Sequence, residues 1–269
     1  MTDETGFMNK KILIYDDEGC SDISFIKRKL SAHFKKLGVG VDTIDAEEIK
    51  NNKLDENVIA LVMPGGYAKQ YEQKLGDEGN NKIKEYVKAG GVYFGICAGG
   101  YYSAKNIVFE KGIKDKEVID KGLGLIDGTA IGTLSREFNI DSFSRTPDSV
   151  TVVKLGWEKS RKESYAYYHG GPYFEMKEDD EHKVVAYYKD LKEKKPAIVK
   201  RIYGKGRVIA TGIHAETQGD DMVIKVLRYG NWDNQTSDLI IKTLMDKDKA
   251  IKNTFKMLMR EIYSSEKAM

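Results

Sequence analysis

Residues 91–100 of this 269-residue chain read Gly-Val-Tyr-Phe-Gly-Ile-Cys-Ala-Gly-Gly. The stretch begins as an apolar, β-favouring run, and Cys97 follows it between two glycines, Gly95 and Gly99. A strand that ends in a Gly-x-Cys-x-Gly turn and continues as a helix has the pattern of a nucleophile elbow, with cysteine in place of serine. The stretch therefore predicts a buried strand of an α/β sheet with a thiol at its carboxyl end.

The residue types in this turn suit a reactive thiol. Larger side chains at positions 95 and 99 would collide with the adjacent strand and helix, so both positions require glycine. The amino terminus of the following helix favours a thiolate, and the backbone N–H of Ala98 can donate to an oxyanion. We predict that Cys97 is a nucleophile. The alternative is a buried structural cysteine beside a glycine-rich turn.

Strands and helices alternate over the first hundred residues. Four short runs are rich in β-favouring apolar residues: Lys11–Tyr15, Val41–Ile44, Asn57–Met63 and Val92–Gly95. A first helix is predicted between Ser21, as its N-cap, and Gly38, and a second helix ends at Gly90-Gly91. This alternation predicts a doubly wound α/β fold with a mostly parallel sheet and helices on both faces.

The pattern changes after residue 104. Further short β-favouring pieces follow, broken by glycine and charge: Val150–Val153, Tyr165–Tyr168 and Val184–Tyr188. The runs Ala197–Tyr203 and Arg207–Gly212, joined by a Gly-Lys-Gly turn, predict a hairpin. Near the C-terminus an apolar stripe predicts an amphipathic helix, with its apolar positions at Ile251, Phe255, Leu258 and Ile262. We predict one domain over residues 1–216, with a flexible lead-in at residues 1–10, and a helical C-terminal extension, residues 217–269, packed on the same domain.

A second glycine pair, Gly65-Gly66, follows the third β-favouring run, in the sequence Met-Pro-Gly-Gly-Tyr. In doubly wound sheets, ligands bind beyond the carboxyl ends of the strands. Glycines at such a position let backbone N–H groups approach a substrate oxygen closely. The pair is therefore either a tight turn or a second donor to an oxyanion.

Of the four histidines, His214 fits best as the general base that a cysteine nucleophile requires. It follows an apolar strand and should emerge at the same edge of the sheet as the thiol, and Glu216 can orient its imidazole. The alternative is a loop histidine without a catalytic role. His33 and His182 lie in charged segments and are expected at the surface. His169 is the rival base or a substrate contact.

Composition excludes several classes of function. Lys and Arg total 44 against 42 Asp and Glu, a net charge of +2, which gives no argument for a nucleic-acid partner. No apolar run approaches the roughly 20 residues that span a bilayer, and only two cysteines are present, so we expect a cytoplasmic protein without membrane contact. The spacing of His and Cys predicts no metal site, and we expect no cofactor. Cys20 is interpreted as an incidental thiol.

Taken in order, these motifs resemble those of class I glutamine amidotransferase-like domains. Within that group they are most similar to the N-terminal domain of eukaryotic-type biotin–protein ligases and its free-standing relatives. The motifs that carry the resemblance lie between residues 11 and 216: Lys11-Ile-Leu-Ile-Tyr15, Met63-Pro-Gly-Gly66, Gly91-Val-Tyr-Phe-Gly-Ile-Cys-Ala-Gly-Gly-Tyr101, Tyr168-His-Gly-Gly171, Gly204-Lys-Gly-Arg-Val208 and Gly212-Ile-His-Ala-Glu216. The resemblance implies a flavodoxin-like sheet and a triad of Cys97 as nucleophile, His214 as base and Glu216 as the orienting carboxylate. Gly66 and Ala98 fall at the oxyanion positions.

Two residues depart from the amidotransferase pattern. Tyr101 stands where a glutamine helps to bind the substrate glutamine, which argues against glutamine as the substrate, and Ala215 replaces the usual proline of the His-Pro-Glu sequence. We expect a different small amide or acyl compound, contacted by residues beside the motifs: Gly65, Tyr67, Tyr101, His169 and Gly170. The sequence has no Gly-Arg-Gly-Arg-type biotinyl-adenylate motif, so we do not expect it to biotinylate a protein by itself.

Two functions from different classes fit these residues. The first is a cysteine-dependent hydrolase or amidotransferase-like enzyme that uses the Cys97–His214–Glu216 triad on a small amide or acyl compound. The second is a non-catalytic small-molecule-binding or regulatory module, which Tyr101 favours. A redox-responsive thiol at Cys97 is a third hypothesis. We expect a small-molecule partner, with a homodimer or an association with a biotin-ligase-type protein as candidate assemblies.

Overall fold

The computed structural model of this protein describes residues 10–144, 146–229 and 234–263, and the first nine residues of the predicted lead-in lie outside them. The strands are β1 Lys11–Tyr15, β2 Gly40–Ile44, β3 Val58–Met63, β4 Val92–Ile96, β5 Ala104–Phe109, β6 Val118–Lys121, β7 Ile126–Ile131, β8 Thr151–Trp157, β9 Ser160–Tyr168, β10 Tyr173–Met176, β11 His182–Tyr188, β12 Lys195–Tyr203 and β13 Gly206–Thr211. The helices are α1 Ile23–Phe34, α2 Ala46–Lys50, α3 Ala68–Ala89, α4 Ala98–Ser103, α5 Ser135–Phe138, α6 Gly219–Tyr229, α7 Asn234–Asp246 and α8 Asp248–Tyr263.

A nine-stranded sheet runs in the order β2-β1-β3-β4-β13-β12-β11-β8-β9. Its first five strands pair in parallel, in the doubly wound order of a flavodoxin-like fold. The remaining strands pair in antiparallel fashion. The predicted parallel α/β sheet is therefore confirmed for the half that carries the cysteine turn, and the later strands extend it as a mixed sheet. The predicted hairpin is the β12–β13 pair.

Three neighbouring parallel strands end at the same level. Met63 in β3 and Ala210 in β13 both pair with Gly95 in β4, from opposite sides. The glycine pair, the cysteine turn and the His-x-Glu segment follow these three strand ends directly. The register therefore brings the three predicted site segments to one edge of the sheet.

Helices cover both faces of the large sheet. On one face α1 and α8 share a core, in which Leu30 and Leu258 belong to the same buried cluster. On the other face α2 and α3 contribute Ile49 and Leu75 to a second cluster. The central strand β3 reads Val-Ile-Ala-Leu-Val-Met and is almost wholly buried, as expected of a parallel strand packed on both sides.

The C-terminal helix α8 lies against the large sheet. Its predicted apolar stripe is confirmed, because the four residues of the stripe are all buried: Ile251, Phe255, Leu258 and Ile262. Thr254 Oγ1 donates to the Tyr165 carbonyl of β9 at 2.9 Å, and Lys200 of β12 pairs with Glu261 at 3.0 Å. Among the helices that the structure describes, none has the length and apolar character needed to cross a bilayer.

Two features of the fold differ from the sequence-based predictions. A second sheet, in the order β10-β7-β5-β6, was not predicted, since its strands are only four to six residues long and are interrupted by charge and glycine. The N-cap prediction for Ser21 is wrong. Helix α1 starts at Ile23 after Asp22, which has φ 62° and makes no side-chain cap bond. The Ser21 N–H instead donates to the Gly65 carbonyl at 2.9 Å, which holds residue 21 in the loop outside the helix.

Candidate active site

Cys97 sits in a strained backbone conformation between β4 and α4. Its φ is 50° and its ψ is −103°, values that a residue with a side chain adopts rarely. The Cys97 N–H donates to the Thr211 carbonyl at the end of β13, at 2.9 Å. A parallel strand on one side and a helix on the other therefore hold the turn in place.

The close packing expected at the two flanking glycines is present. A Cβ on Gly95 would lie 2.3 Å from the Gly99 carbonyl oxygen, and a Cβ on Gly99 would lie 2.1 Å from the Met63 oxygen. Both obstacles are backbone atoms, which a rotamer change cannot move. Only glycine at both positions lets the start of α4 pack this closely against β3 and β4.

His214 links the end of β13 to the thiol. Its backbone N–H donates to the Tyr167 carbonyl at 2.8 Å, and its ring Nδ1 lies 2.7 Å from Glu216 Oε1. The imidazole and the Cys97 thiol are close enough to interact electrostatically. The structure brings the three predicted triad residues together in a nearly closed site, where Cys97, His214 and Glu216 are only 7%, 5% and 3% exposed.

The charges of this site favour a protonated histidine. Burial lowers the pKa of His214, but the Glu216 carboxylate and the charge of Cys97 outweigh it and raise the pKa to about 10. The imidazole then carries a positive charge at neutral pH. A cation in contact with a cysteine stabilises the thiolate, which is the form that attacks.

This raised pKa predicts a pH-dependent contribution to stability. The pKa of His214 is raised from its usual value of 6.5 to about 10, so its stabilising effect is complete below pH 6.5 and is lost as the pH rises through about 10. We expect Glu216→Gln to remove most of this effect, because the carboxylate is the main charge that raises the pKa. In urea denaturation, the free-energy gap between wild type and Glu216→Gln should shrink by at least about 1 kcal/mol from pH 6 to pH 10. An unchanged gap over that range would contradict the assigned ion pair.

The glycine pair after β3 closes the other side of the turn. A Cβ on Gly65 would lie 2.9 Å from His214 Cε1 and 3.7 Å from Cys97 Cβ, so this backbone packs directly against the predicted nucleophile and base. The Gly65 carbonyl accepts hydrogen bonds from the Ser21 N–H at 2.9 Å and from the Tyr71 hydroxyl at 2.8 Å, which fixes the loop. Within the described ranges, the N–H groups of Gly66 and Ala98 donate no backbone hydrogen bond. Donation from these two groups to an oxyanion stays a prediction.

His169 contacts the thiol through its backbone. Its main-chain oxygen lies 3.6 Å from Cys97 Sγ. Its Nε2 lies 2.7 Å from the Ser144 carbonyl, and its ring packs on Phe143 at 4.8 Å between centroids. The imidazole is thus engaged by Phe143, Ser144 and Ser149, which favours His214 over His169 as the base.

The other predicted substrate contacts differ in accessibility. Tyr101 is 3% exposed, and its hydroxyl donates to the Gly170 carbonyl at 3.0 Å. This bond joins α4 to the loop that carries His169, so Tyr101 supports the site from the core. Tyr67, which precedes α3, is 46% exposed, so its ring is the accessible aromatic side chain among the predicted contacts.

Cys20 lies beside the glycine pair without a disulfide. Its backbone pairs with that of Gly66 in a single antiparallel β-bridge outside the sheets, and both cysteines of the chain are free thiols. Burial raises the pKa of its thiol to about 11, so it is protonated at neutral pH. This environment agrees with its interpretation as an incidental thiol.

Sequence reasoning misassigned one histidine and missed a buried charge cluster. The prediction that His182 lies at the surface is wrong, since it is 5% exposed, bonds Asp179 through Nδ1 at 3.0 Å and accepts the Asp127 N–H at Nε2. Asp221 in α6 is fully buried and is paired with two cations of α1. No local sequence signal marks that pairing, because the partners are about 190 residues apart. In the part of the chain that the structure describes, no group of His, Cys, Asp or Glu is arranged to hold a metal ion.

Comparison with known proteins identifies relatives of this chain. A family model described as biotin-protein ligase, N terminal, matches residues 10–266. The chain is 32% identical over 209 residues to the biotin–protein ligase of Schizosaccharomyces pombe, a match that covers 76% of this chain but only 33% of the ligase. It is also 32% identical over 212 residues to an uncharacterized protein of Chlamydia muridarum, of which it covers 80%.

Similarity to solved structures is weaker. A candidate GMP synthase component from Thermoplasma acidophilum matches with 13% identity and a TM-score of 0.46, covering 89% of this chain and 98% of that chain. Likeness at this level carries no functional argument.

Proposed function

Because this chain belongs to the biotin-protein ligase N-terminal family, we propose that its Cys97 site is that of a cysteine-dependent hydrolase or amidotransferase-like enzyme. The substrate class is a small amide or acyl compound. One observation carries the proposal: the Glu216 carboxylate lies 2.7 Å from the His214 imidazole, and that imidazole interacts electrostatically with Cys97. A nucleophile, a base and an orienting group in this sequence of contacts are what acyl transfer through a thioester requires.

In the proposed mechanism, the Cys97 thiolate attacks the substrate carbonyl and a carbon–sulfur bond forms. The N–H groups of Gly66 and Ala98 donate to the developing oxyanion. The His214 imidazolium gives its proton to the leaving amine as the carbon–nitrogen bond breaks, which leaves a thioester and a neutral imidazole. The imidazole then takes a proton from water, and the resulting hydroxide attacks the thioester carbonyl. The carbon–sulfur bond breaks, the acid product leaves, and the Cys97 thiolate and His214 imidazolium are regenerated.

Intact-mass measurement tests this chemistry directly. We expect a panel of small amides and activated acyl esters to leave an acyl adduct on wild-type protein, because the first step joins the acyl group to Cys97. Cys97→Ala should lose the adduct completely, whereas Cys20→Ala should keep it, since that thiol is protonated and lies outside the triad. Adducts of equal yield on wild type and Cys97→Ala would refute the assignment.

A second candidate is a non-catalytic small-molecule-binding or regulatory module. Tyr101 supports it, because this residue occupies the glutamine position of amidotransferases and its hydroxyl is already bonded to Gly170. This candidate predicts ligands that raise the melting temperature without an adduct on Cys97. A redox-responsive thiol would instead add oxygen to Cys97 on treatment with peroxide, without any acyl donor.

Partners and compartment complete the proposal. This chain spans about a third of the length of the Schizosaccharomyces pombe ligase that it matches. We propose either a ligase-type polypeptide or a second copy of this chain as its macromolecular partner. The free state of both cysteines supports the cytoplasm as its compartment. Light scattering of the purified chain, alone and mixed with a biotin-ligase catalytic domain, tests both assemblies.

A further inference from the structure

The buried carboxylate of Asp221 lies at the start of α6, directly after the segment that carries His214 and Glu216. Its side chain is fully buried and pairs with the Arg28 guanidinium and with Lys29 Nζ at 3.1 Å, both from α1. Its second oxygen also accepts the Gln218 N–H at 2.9 Å. A buried carboxylate requires such partners, because removing one of them leaves a charge in the protein interior without full compensation.

The same contacts enclose the loop between β13 and α6. Its residues 214–218, which carry His214 at one end and Gln218 at the other, are all buried. Lys29 Nζ donates to Gln218 Oε1 at 2.6 Å as well as to Asp221, so one ammonium binds both the loop and the helix that follows it. The conformation of this loop is therefore tied to the charge of Asp221.

We propose that Asp221 is a positioning residue for the His214–Glu216 pair, acting through the 214–218 loop. This inference rests on the proposed function, because it assigns a role in keeping the imidazole beside the thiol. Without the carboxylate, Arg28, which is already half exposed to solvent, loses this partner, and Lys29 keeps only the Gln218 side-chain oxygen as its partner in the loop. The Gln218 end of the loop is then released, and Glu216 no longer holds Nδ1 at 2.7 Å.

Alkylation of Cys97 by iodoacetamide between pH 5 and pH 10 tests this role, with labelling read by intact mass. We expect Asp221→Ala to lower the rate at pH 7 about fivefold and to make the rate rise with pH. The same kind of change is expected for Glu216→Gln, which removes the carboxylate charge beside the imidazole. Asp221→Glu, which keeps the charge, should recover at least half of the wild-type rate. The matched control is Asp42→Asn. It removes an exposed carboxylate of β2 that pairs at 2.8 Å with Lys27, another cation of α1.

The outcomes separate this inference from the proposed function. If wild-type Cys97 reacts no faster than Cys97 in His214→Ala, the proposed function fails and the role of Asp221 fails with it. If wild type is activated but Asp221→Ala keeps the wild-type rate and pH profile, only the positioning role is overturned. Should Asp221→Ala fail to fold, as judged by circular dichroism, Lys29→Met retains the Arg28 pair and is expected to give a smaller change of the same kind. A wild-type profile in a folded Lys29→Met would then overturn the proposal.

Discussion

Replacing His214 by alanine is expected to slow the alkylation of Cys97 by iodoacetamide at pH 7 at least tenfold. The imidazole interacts electrostatically with the thiol, and the His214 pKa of about 10 keeps the imidazole cationic at neutral pH. Removing it takes away the charge that stabilises the thiolate. A tenfold loss corresponds to about 1.4 kcal/mol, a small share of what a buried ion pair can supply. Rates by intact mass over pH 5 to pH 10 measure the effect.

Two histidine variants control this measurement. His182→Ala removes another buried imidazole with a carboxylate partner, 3.0 Å from Asp179, in a different part of the fold. It is expected to lower stability but to change the alkylation rate less than threefold. His169→Ala tests the rival base, and we expect a smaller loss than for His214→Ala, because its ring bonds the Ser144 carbonyl. A larger loss in His169→Ala would reverse the assignment of the base.

The parts of this site that could be predicted from sequence are those fixed by local sterics. The requirement for glycine at positions 95 and 99 follows from the tightness of one turn, and at each position a backbone oxygen lies within 2.3 Å of the point that a Cβ would occupy. The convergence of three segments follows from a general rule, that the carboxyl ends of parallel strands share an edge. Neither prediction needs knowledge of distant contacts.

The features that sequence reasoning missed depend on partners far along the chain. His182 follows an acidic run, which predicts exposure, yet it is buried because Asp127, 55 residues earlier, gives its Nε2 a backbone N–H. Ser21 has the side chain of an N-cap, but its N–H is bonded to the Gly65 carbonyl across the site. Residue type limits what a side chain can bond, and the tertiary fold selects which of those bonds forms.

Gly99→Ala is expected to destabilise the protein by about 3 kcal/mol or more. The added Cβ would lie 2.1 Å from the Met63 oxygen and 2.7 Å from the carbonyl carbon of the same residue, so β3 and α4 must separate to admit it. Gly40→Ala is the matched control, because its nearest atom would be 3.9 Å away in an extended strand. That variant should remain within about 0.5 kcal/mol of wild type. Urea denaturation of the three proteins measures both values.

The same substitution links the packing of the turn to its reactivity. The Met63 carbonyl that a Cβ on Gly99 would strike immediately precedes Pro64, whose own carbonyl accepts the Gly99 N–H at 2.9 Å. Moving this segment shifts Gly65 away from Cys97 and His214, so alkylation of Cys97 in Gly99→Ala should fall together with stability. Equal stability of Gly99→Ala and Gly40→Ala would show that the turn is not tightly packed against β3. A destabilised Gly99→Ala that keeps the wild-type alkylation rate would contradict this link between packing and reactivity. The reactivity of Cys97 would then depend on His214 and not on the packing of the turn against β3.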